Sequence, residues 1–382
     1  MKISKNQYSD FIMIILSCLA AYIVIWSFAG GWPQSVNPYN SYILQAKAWL
    51  SGRLDLGRNY EHLELAIYNG KYYVSFPPLP SVILLPFAAF NIPDNWAAVF
   101  VSIAACIYAY RLCISFGEEN NAAFLALFLC IASNVLVISI NSWVWFIAQN
   151  LSFLFTLMGF YYAKIKKGTA SLAFLALAVL CRPFQIVYFP FLTLILSEEK
   201  KEKYAWHGFI IPIMLAIACM IFNYIRFGNP LEFGHNYLPE FTAAENGQFD
   251  ISYIPENAKS LIRLPKLMAD GRLDFPKFNG MSIFLCSPIV LFCIIFSLLK
   301  INRVQTVTGL LSVSLHILLL LSHKTMGGWH FGNRYLIDIF PCLFYMMLFS
   351  FPKSSQGSKK LMLPFFILGL CLNIAGIIQM LG

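Results

Sequence analysis

The chain has 382 residues, of which 59% are hydrophobic, 16% aromatic and 12% charged, and its mean hydropathy is +0.66. No water-soluble domain of this length carries that balance, so the chain reads as a membrane protein with many apolar segments. The formal charge of +9 lies in short basic clusters beside apolar runs, where topogenic signals and headgroup contacts put it, which sets nucleic acid aside as a partner.

Repeated apolar runs of about 20 residues have the length of membrane helices and not of barrel strands, so the expected fold class is all-α and polytopic. Residues 11–30 form the first span. Lys2 and Lys5 before it place the N-terminus in the cytoplasm, and the lack of a small-residue cleavage site makes it an uncleaved helix. A first extracytoplasmic loop, 31–94, follows. Within it 39–50 shows helical spacing of apolar residues with Tyr and Trp, suited to a helix lying in the interface and ending at Gly52. Segment 77–90 is apolar but carries four prolines in about 14 residues, too short and broken to span, so it is expected to be re-entrant or interfacial.

The next expected spans are 95–112, 122–138 and 144–163, the last ending at the cytoplasmic cluster Lys164, Lys166 and Lys167. Segment 169–196 lies between that cluster and a second one at 198–203, which forces a hairpin whose apex is Cys181-Arg182-Pro183. Spans at 205–225, 281–299, 305–322, 335–351 and 361–381 complete a count of about 11, with a second extracytoplasmic loop at 226–279. No internal repeat or linker appears, so 1–382 is one membrane domain with loop subdomains.

Chemistry needs polar groups, and this topology gathers them on the extracytoplasmic side. The first loop offers Asp55, Glu61, Glu64 and His62; Glu64 stands out because it precedes the aromatic stretch Tyr68 to Phe76 that pins it to the membrane. Arginine in an apolar hairpin costs about 2.5 to 3.5 kcal/mol on insertion scales unless it is paired or wetted, so Arg182 needs a partner, and a phosphate would serve. Arg334 has Asp338 at i+4, which would neutralise it on a helix. His330 lies between Trp329 and Phe331, and Tyr72, Tyr73, Lys71 and Tyr237 are further polar aromatic or basic groups on the two long loops. There is no phosphate-binding Walker loop, no HExxH, no GxSxG and no Cys/His cluster at metal spacing, so nucleotide hydrolysis and metallohydrolysis drop out and no cofactor is expected.

Taken in order, Ala46 to Leu54, Tyr68 to Tyr73, Phe76 to Pro80, Arg182-Pro183, Asn223 to Pro230 and Phe331 to Leu336 resemble the bacterial membrane glycosyltransferases of the GT-C fold, in particular the protein mannosyltransferase and aminoarabinose transferase group. The resemblance implies an inner-membrane enzyme that moves a sugar, with inversion, from a polyprenyl-phosphate lipid to an extracytoplasmic glycan, lipid or protein acceptor, without nucleotide or obligatory metal. It further implies a catalytic aspartate in the first loop soon after the first helix. Here that stretch reads Val36-Asn37-Pro38-Tyr39-Asn40-Ser41, with Asn37 and no acid, so either Glu64 or Glu61 is the base or transferase activity is lost. Arg182, with Arg334 or Lys71, would hold the phosphate, and Tyr72, Tyr73, His330 and Tyr237 would touch substrate. A transporter or flippase for a lipid-linked sugar, or a polysaccharide polymerase or ligase, uses the same external arginines and stays open at this point.

Overall fold

A computed structural model of the chain describes residues 5–199, 206–352 and 356–382. Lys2 and residues 200–203, which the charge reading uses, lie outside the described residues.

Among the described residues, six helices are long and apolar enough to cross a membrane: Gln7–Ala29, Asn95–Ser115, Val144–Lys164, His207–Phe227, Val304–Leu321 and Gly357–Leu381. The other expected spans are short or broken. Ala122–Cys130 gives way to a 3-10 turn at Asn134–Ser139, Ile283–Cys286 is separated from Ile289–Leu298 at Ser287-Pro288, and a 3-10 segment Arg334–Ile339 leads into Phe340–Ser350. Gly168–Val179 stops before Arg182, and the chain returns through Pro183–Tyr188 and Phe189–Glu199, because Pro183 cannot continue the first arm. Six of the expected crossings are thus unbroken helices among the described residues, and the expected count of about 11 is not reached by helices of spanning length.

Val144–Lys164 is the most enclosed of the six and packs against both Asn95–Ser115 and Gly168–Val179. Two devices of membrane packing hold it. Gly159 has no side chain where the Ser171 backbone approaches, and Ser171 Oγ donates to the Gly159 carbonyl at 2.8 Å; on the other face Asn150 Nδ2 donates to Ser102 Oγ at 2.7 Å. His207–Phe227, by contrast, turns most of its apolar surface outward, as a lipid-facing helix does.

The first loop is folded. Asn40 Oδ1 accepts from the Tyr42 and Ile43 N–H groups and caps the helix Ser41–Leu50, which packs on Leu79–Ala89, a helix of only 11 residues with Pro86 inside it. Between them Leu65–Tyr68 and Lys71–Val74 form an antiparallel hairpin closed by Asn69-Gly70, with φ of +50° and +72°, the combination a type I′ turn demands. A second small hairpin pairs Lys266–Leu267 with Leu273–Asp274 in the other long loop. The body is helical, as expected, and strand pairing is confined to the loops.

The motif Asn223 to Pro230 is a clasp. Arg226 Nη1 donates to the Val74 carbonyl and Nη2 to Asn223 Oδ1, both at 2.9 Å, while Gly228 ends the helix in the left-handed region at φ +68°. The start of the second loop is thereby fastened to the hairpin of the first.

Candidate active site

Five chain segments far apart in sequence close around one cavity of about 740 Å³. The first loop contributes Tyr39, Glu64 and Phe76; the start of Val144–Lys164 contributes Trp145; the hairpin apex contributes Arg182. The second loop supplies a wall with His235, Glu240 and Phe241, and the loop after Val304–Leu321 supplies His323, Arg334 and Tyr335.

Trp145 joins the acid to one of the bases. Its indole N–H donates to Glu64 Oε2 at 3.0 Å, and its backbone carbonyl accepts from Arg334 Nη1 at 3.3 Å. Burial raises the Glu64 carboxyl above the ordinary carboxylate range, and the indole hydrogen bond opposes that rise; the Glu240 charge adds to it and Arg334 lowers it. Arg334 itself is 1% exposed and gives Nη2 to the Gly327 carbonyl at 2.9 Å. Its hydrogen-bond partners are neutral carbonyls, so among the described residues its positive charge meets no carboxylate in direct contact.

Asp338 is the counter-ion of the other arginine. Arg182 Nε and Nη2 both lie 3.0 Å from Asp338 Oδ2, and Gln149 Nε2 donates to Asp338 Oδ1 at 2.8 Å. This corrects the i+4 pairing of Arg334 with Asp338 expected from sequence. Residues Arg334–Ile339 are a 3-10 segment, whose tighter winding does not stack i on i+4, and the hairpin apex brings Arg182 to the aspartate instead. Both guanidinium carbons lie 4.9 Å from the centre of the Tyr335 ring, so one aromatic side chain serves two cations.

Of the residues singled out from sequence, the cavity gathers Glu64, Arg182 and Arg334. Glu61 is exposed, and Lys71 sits at the hairpin tip opposite Tyr68, exposed as well. Tyr73 and Tyr237 pack on Phe227, Tyr72 pairs with Ile67 across the hairpin, and none of them lines the cavity. His330 is fully buried near the backbone of Gly327, Gly328 and Gly332 and does not line the cavity.

Asn37 has a different task. Its Nδ2 donates to Asp94 Oδ2 at 3.0 Å, and Asn40 Nδ2 donates to the same oxygen. The first loop therefore does hold an acid beside 36–41, supplied from the loop's far end. Burial raises the Asp94 carboxyl and the two amide hydrogen bonds lower it. Asp94 does not line the large cavity. His235 and His323 were also missed; burial pushes each imidazole down to about 4, so both are neutral at neutral pH. Among the described residues no group of three or more His, Cys, Asp and Glu could hold a metal ion.

No protein-family model matches the chain, and no curated protein matches it. Among solved structures, ArnT from Cupriavidus metallidurans bound to undecaprenyl phosphate superimposes over 96% of this chain and 64% of its own, with a TM-score of 0.58 at 12% identity. The fold is that of ArnT. The same protein in its apo state matches over 97% of this chain and 73% of its own, with a TM-score of 0.53 at 11% identity. The chain spans somewhat under two thirds of the length of ArnT as seen in the lipid-bound structure. The resemblance read from the motifs and the likeness to ArnT point to one architecture, the GT-C fold.

Proposed function

We propose that this protein is a membrane glycosyltransferase that takes a sugar from a polyprenyl-phosphate donor and passes it, with inversion, to a hydroxyl acceptor at the extracytoplasmic face of a bacterial inner membrane. The observation that carries the reading is a single cavity that places Glu64 with Arg182 and Arg334, on the fold of a protein solved with undecaprenyl phosphate. In this reading Arg334, whose charge is not matched by a carboxylate in contact, is the principal phosphate ligand, and Arg182, held by Asp338, assists it. The acceptor oxygen bonds to the anomeric carbon as the bond from that carbon to the phosphate oxygen breaks. The acceptor proton goes to Glu64, and the electron pair leaves with polyprenyl phosphate, whose charge the guanidinium groups stabilise. The aromatic wall of Phe76, Phe184 and Phe249 suits the apolar start of a polyprenyl chain.

The test is release of polyprenyl phosphate from a polyprenyl-phosphate sugar by the purified protein with a mixed pool of cell-envelope acceptors. Glu64→Gln is expected to lower turnover by roughly 100-fold or more while lipid-phosphate binding persists, as removal of a general base does. Arg334→Met is expected to weaken that binding. Tight binding of the donor with no release under any acceptor would favour a carrier of lipid-linked sugar, and full turnover in Glu64→Gln would remove the proposed base.

A further inference from the structure

Residues 261–278 of the second loop form an element that the cavity barely uses. The chain folds back on itself through the Lys266–Leu267 and Leu273–Asp274 pair, leaving Ile262, Leu264 and Leu267 exposed at 66%, 63% and 73%, with Met268 and Leu273 beside them. Five large apolar side chains exposed within twelve residues of one loop imply contact with something other than water. The same stretch carries four basic and two acidic residues, a local excess of +2.

Its depth follows from what holds it. Gln379 clips the hairpin through both amide atoms: Oε1 accepts from the Phe275 N–H at 2.8 Å, and Nε2 donates to the Leu273 carbonyl at 3.0 Å. Gln379 lies in the last turn of Gln356–Leu381, a 26-residue helix and candidate span. At 1.5 Å per residue that helix is about 39 Å long against a hydrocarbon core of about 30 Å, so its final turn emerges among the headgroups and the hairpin clipped to it lies at the same level.

We propose that the 261–278 hairpin is an interfacial docking element that seats its apolar tip among the lipids of the outer leaflet, with Arg263 and Lys266 against anionic phospholipid headgroups. Apolar side chains interleaved with basic ones, held at headgroup depth, are what recognises a negatively charged lipid surface. Arg272 is engaged with Asp270, and Arg263 gives Nη1 to the Phe278 carbonyl at 3.1 Å while staying exposed; Lys266, opposite Asp274 in the strand pair, is the exposed cation between Leu264 and Leu267. The element ends at Phe278, which pairs through its backbone with Trp329, and both residues line the cavity. The docked hairpin therefore fixes the rim of the cavity against the leaflet, whatever the cavity's chemistry; the inference does not depend on the transferase reading.

The test places an environment-sensitive fluorophore on Leu267→Cys in a Cys371→Ser background, the other nine cysteines being buried. The full chain goes into nanodiscs of phosphatidylcholine alone or with phosphatidylglycerol. Docking is expected to bring quenching by shallow acyl-chain quenchers and protection from aqueous iodide, both stronger on the anionic discs, and Lys266→Glu is expected to cut the anionic advantage about fivefold or more. A probe open to iodide in both lipids would overturn the proposal. So would protection equal in both lipids and unmoved by Lys266→Glu, which would mark a protein contact or a second copy of the chain.

Discussion

Trp145 donates its indole N–H to the Glu64 carboxylate at 3.0 Å, while its carbonyl holds Arg334. One residue thus sets both the orientation of the acid and the position of the cation that faces the cavity with it. Burial raises the Glu64 pKa and this hydrogen bond is the main influence that lowers it. In Trp145→Phe the carboxyl loses the stabiliser of its ionised form, so its pKa rises further. If Glu64 must be ionised to act, the acidic limb of the turnover profile moves to higher pH in this variant. A pH profile of polyprenyl-phosphate release checks it, and an unmoved limb would show that Glu64 is not the titrating group.

Asp338→Asn strands Arg182, whose side chain is only 21% exposed, without its counter-ion and also weakens the Gln149 contact. Removal of one member of a buried pair is expected to cost roughly 3 kcal/mol, read as a lowered thermal midpoint in detergent. The double variant Arg182→Met with Asp338→Leu removes both charges and should recover most of that stability while still binding lipid phosphate less well. Recovery of both properties together would show that Arg182 contributes nothing to phosphate binding.

Gly327 has φ +107°, and a Cβ there would lie 2.8 Å from Arg334 Nη2 and 3.0 Å from Tyr335 Cε1. Its carbonyl is also the acceptor for that same guanidinium nitrogen. Gly327→Ala therefore strains the turn, by about 1 to 3 kcal/mol, and displaces Arg334. The expected outcome is weaker binding of undecaprenyl phosphate with the overall helical content retained, measurable by calorimetry and circular dichroism on the same sample.

His235 and His323 have imidazoles pushed down by burial to about 4, against 6.5 for a free histidine. Between those two values the unfolded chain binds more protons than the folded one, so stability falls as pH falls from 6.5 toward 4. His235→Asn cannot take up that proton and is expected to flatten the decline. Thermal midpoints at pH 7, 6, 5 and 4 for the two proteins give the comparison; parallel curves would assign the acid sensitivity elsewhere.

The cavity's outline was legible because membrane physics makes its members conspicuous. A guanidinium in an apolar hairpin and a carboxylate beside an aromatic stretch each stand out against hydrocarbon. What escaped was tertiary. The i+4 rule assigned Asp338 to Arg334 because it presumes an α-helix, whereas the local winding is 3-10 and the true partner, Arg182, lies 156 positions away. Asp94 escaped for a similar reason, since nothing local tells that Asn37 and Asn40 will reach the other end of their loop. The hairpin at Asn69-Gly70 was available from the turn signal alone, which the helical composition of the rest of the chain obscured. His235 and His323 carry no sequence mark at all, because their distinction is the cavity they face.

Asn373, deep in the final helix, accepts from Asn134 Nδ2 at 3.4 Å; Asn134 Oδ1 in turn accepts from the Asn333 N–H at 2.7 Å, and the Phe331 N–H reaches Met380 Sδ at 3.1 Å. The terminal helix is therefore a keystone: it braces, from behind, the strip of backbone that presents Arg334. Shortening the chain from that end would slacken the cationic side of the cavity while every residue lining it kept its identity.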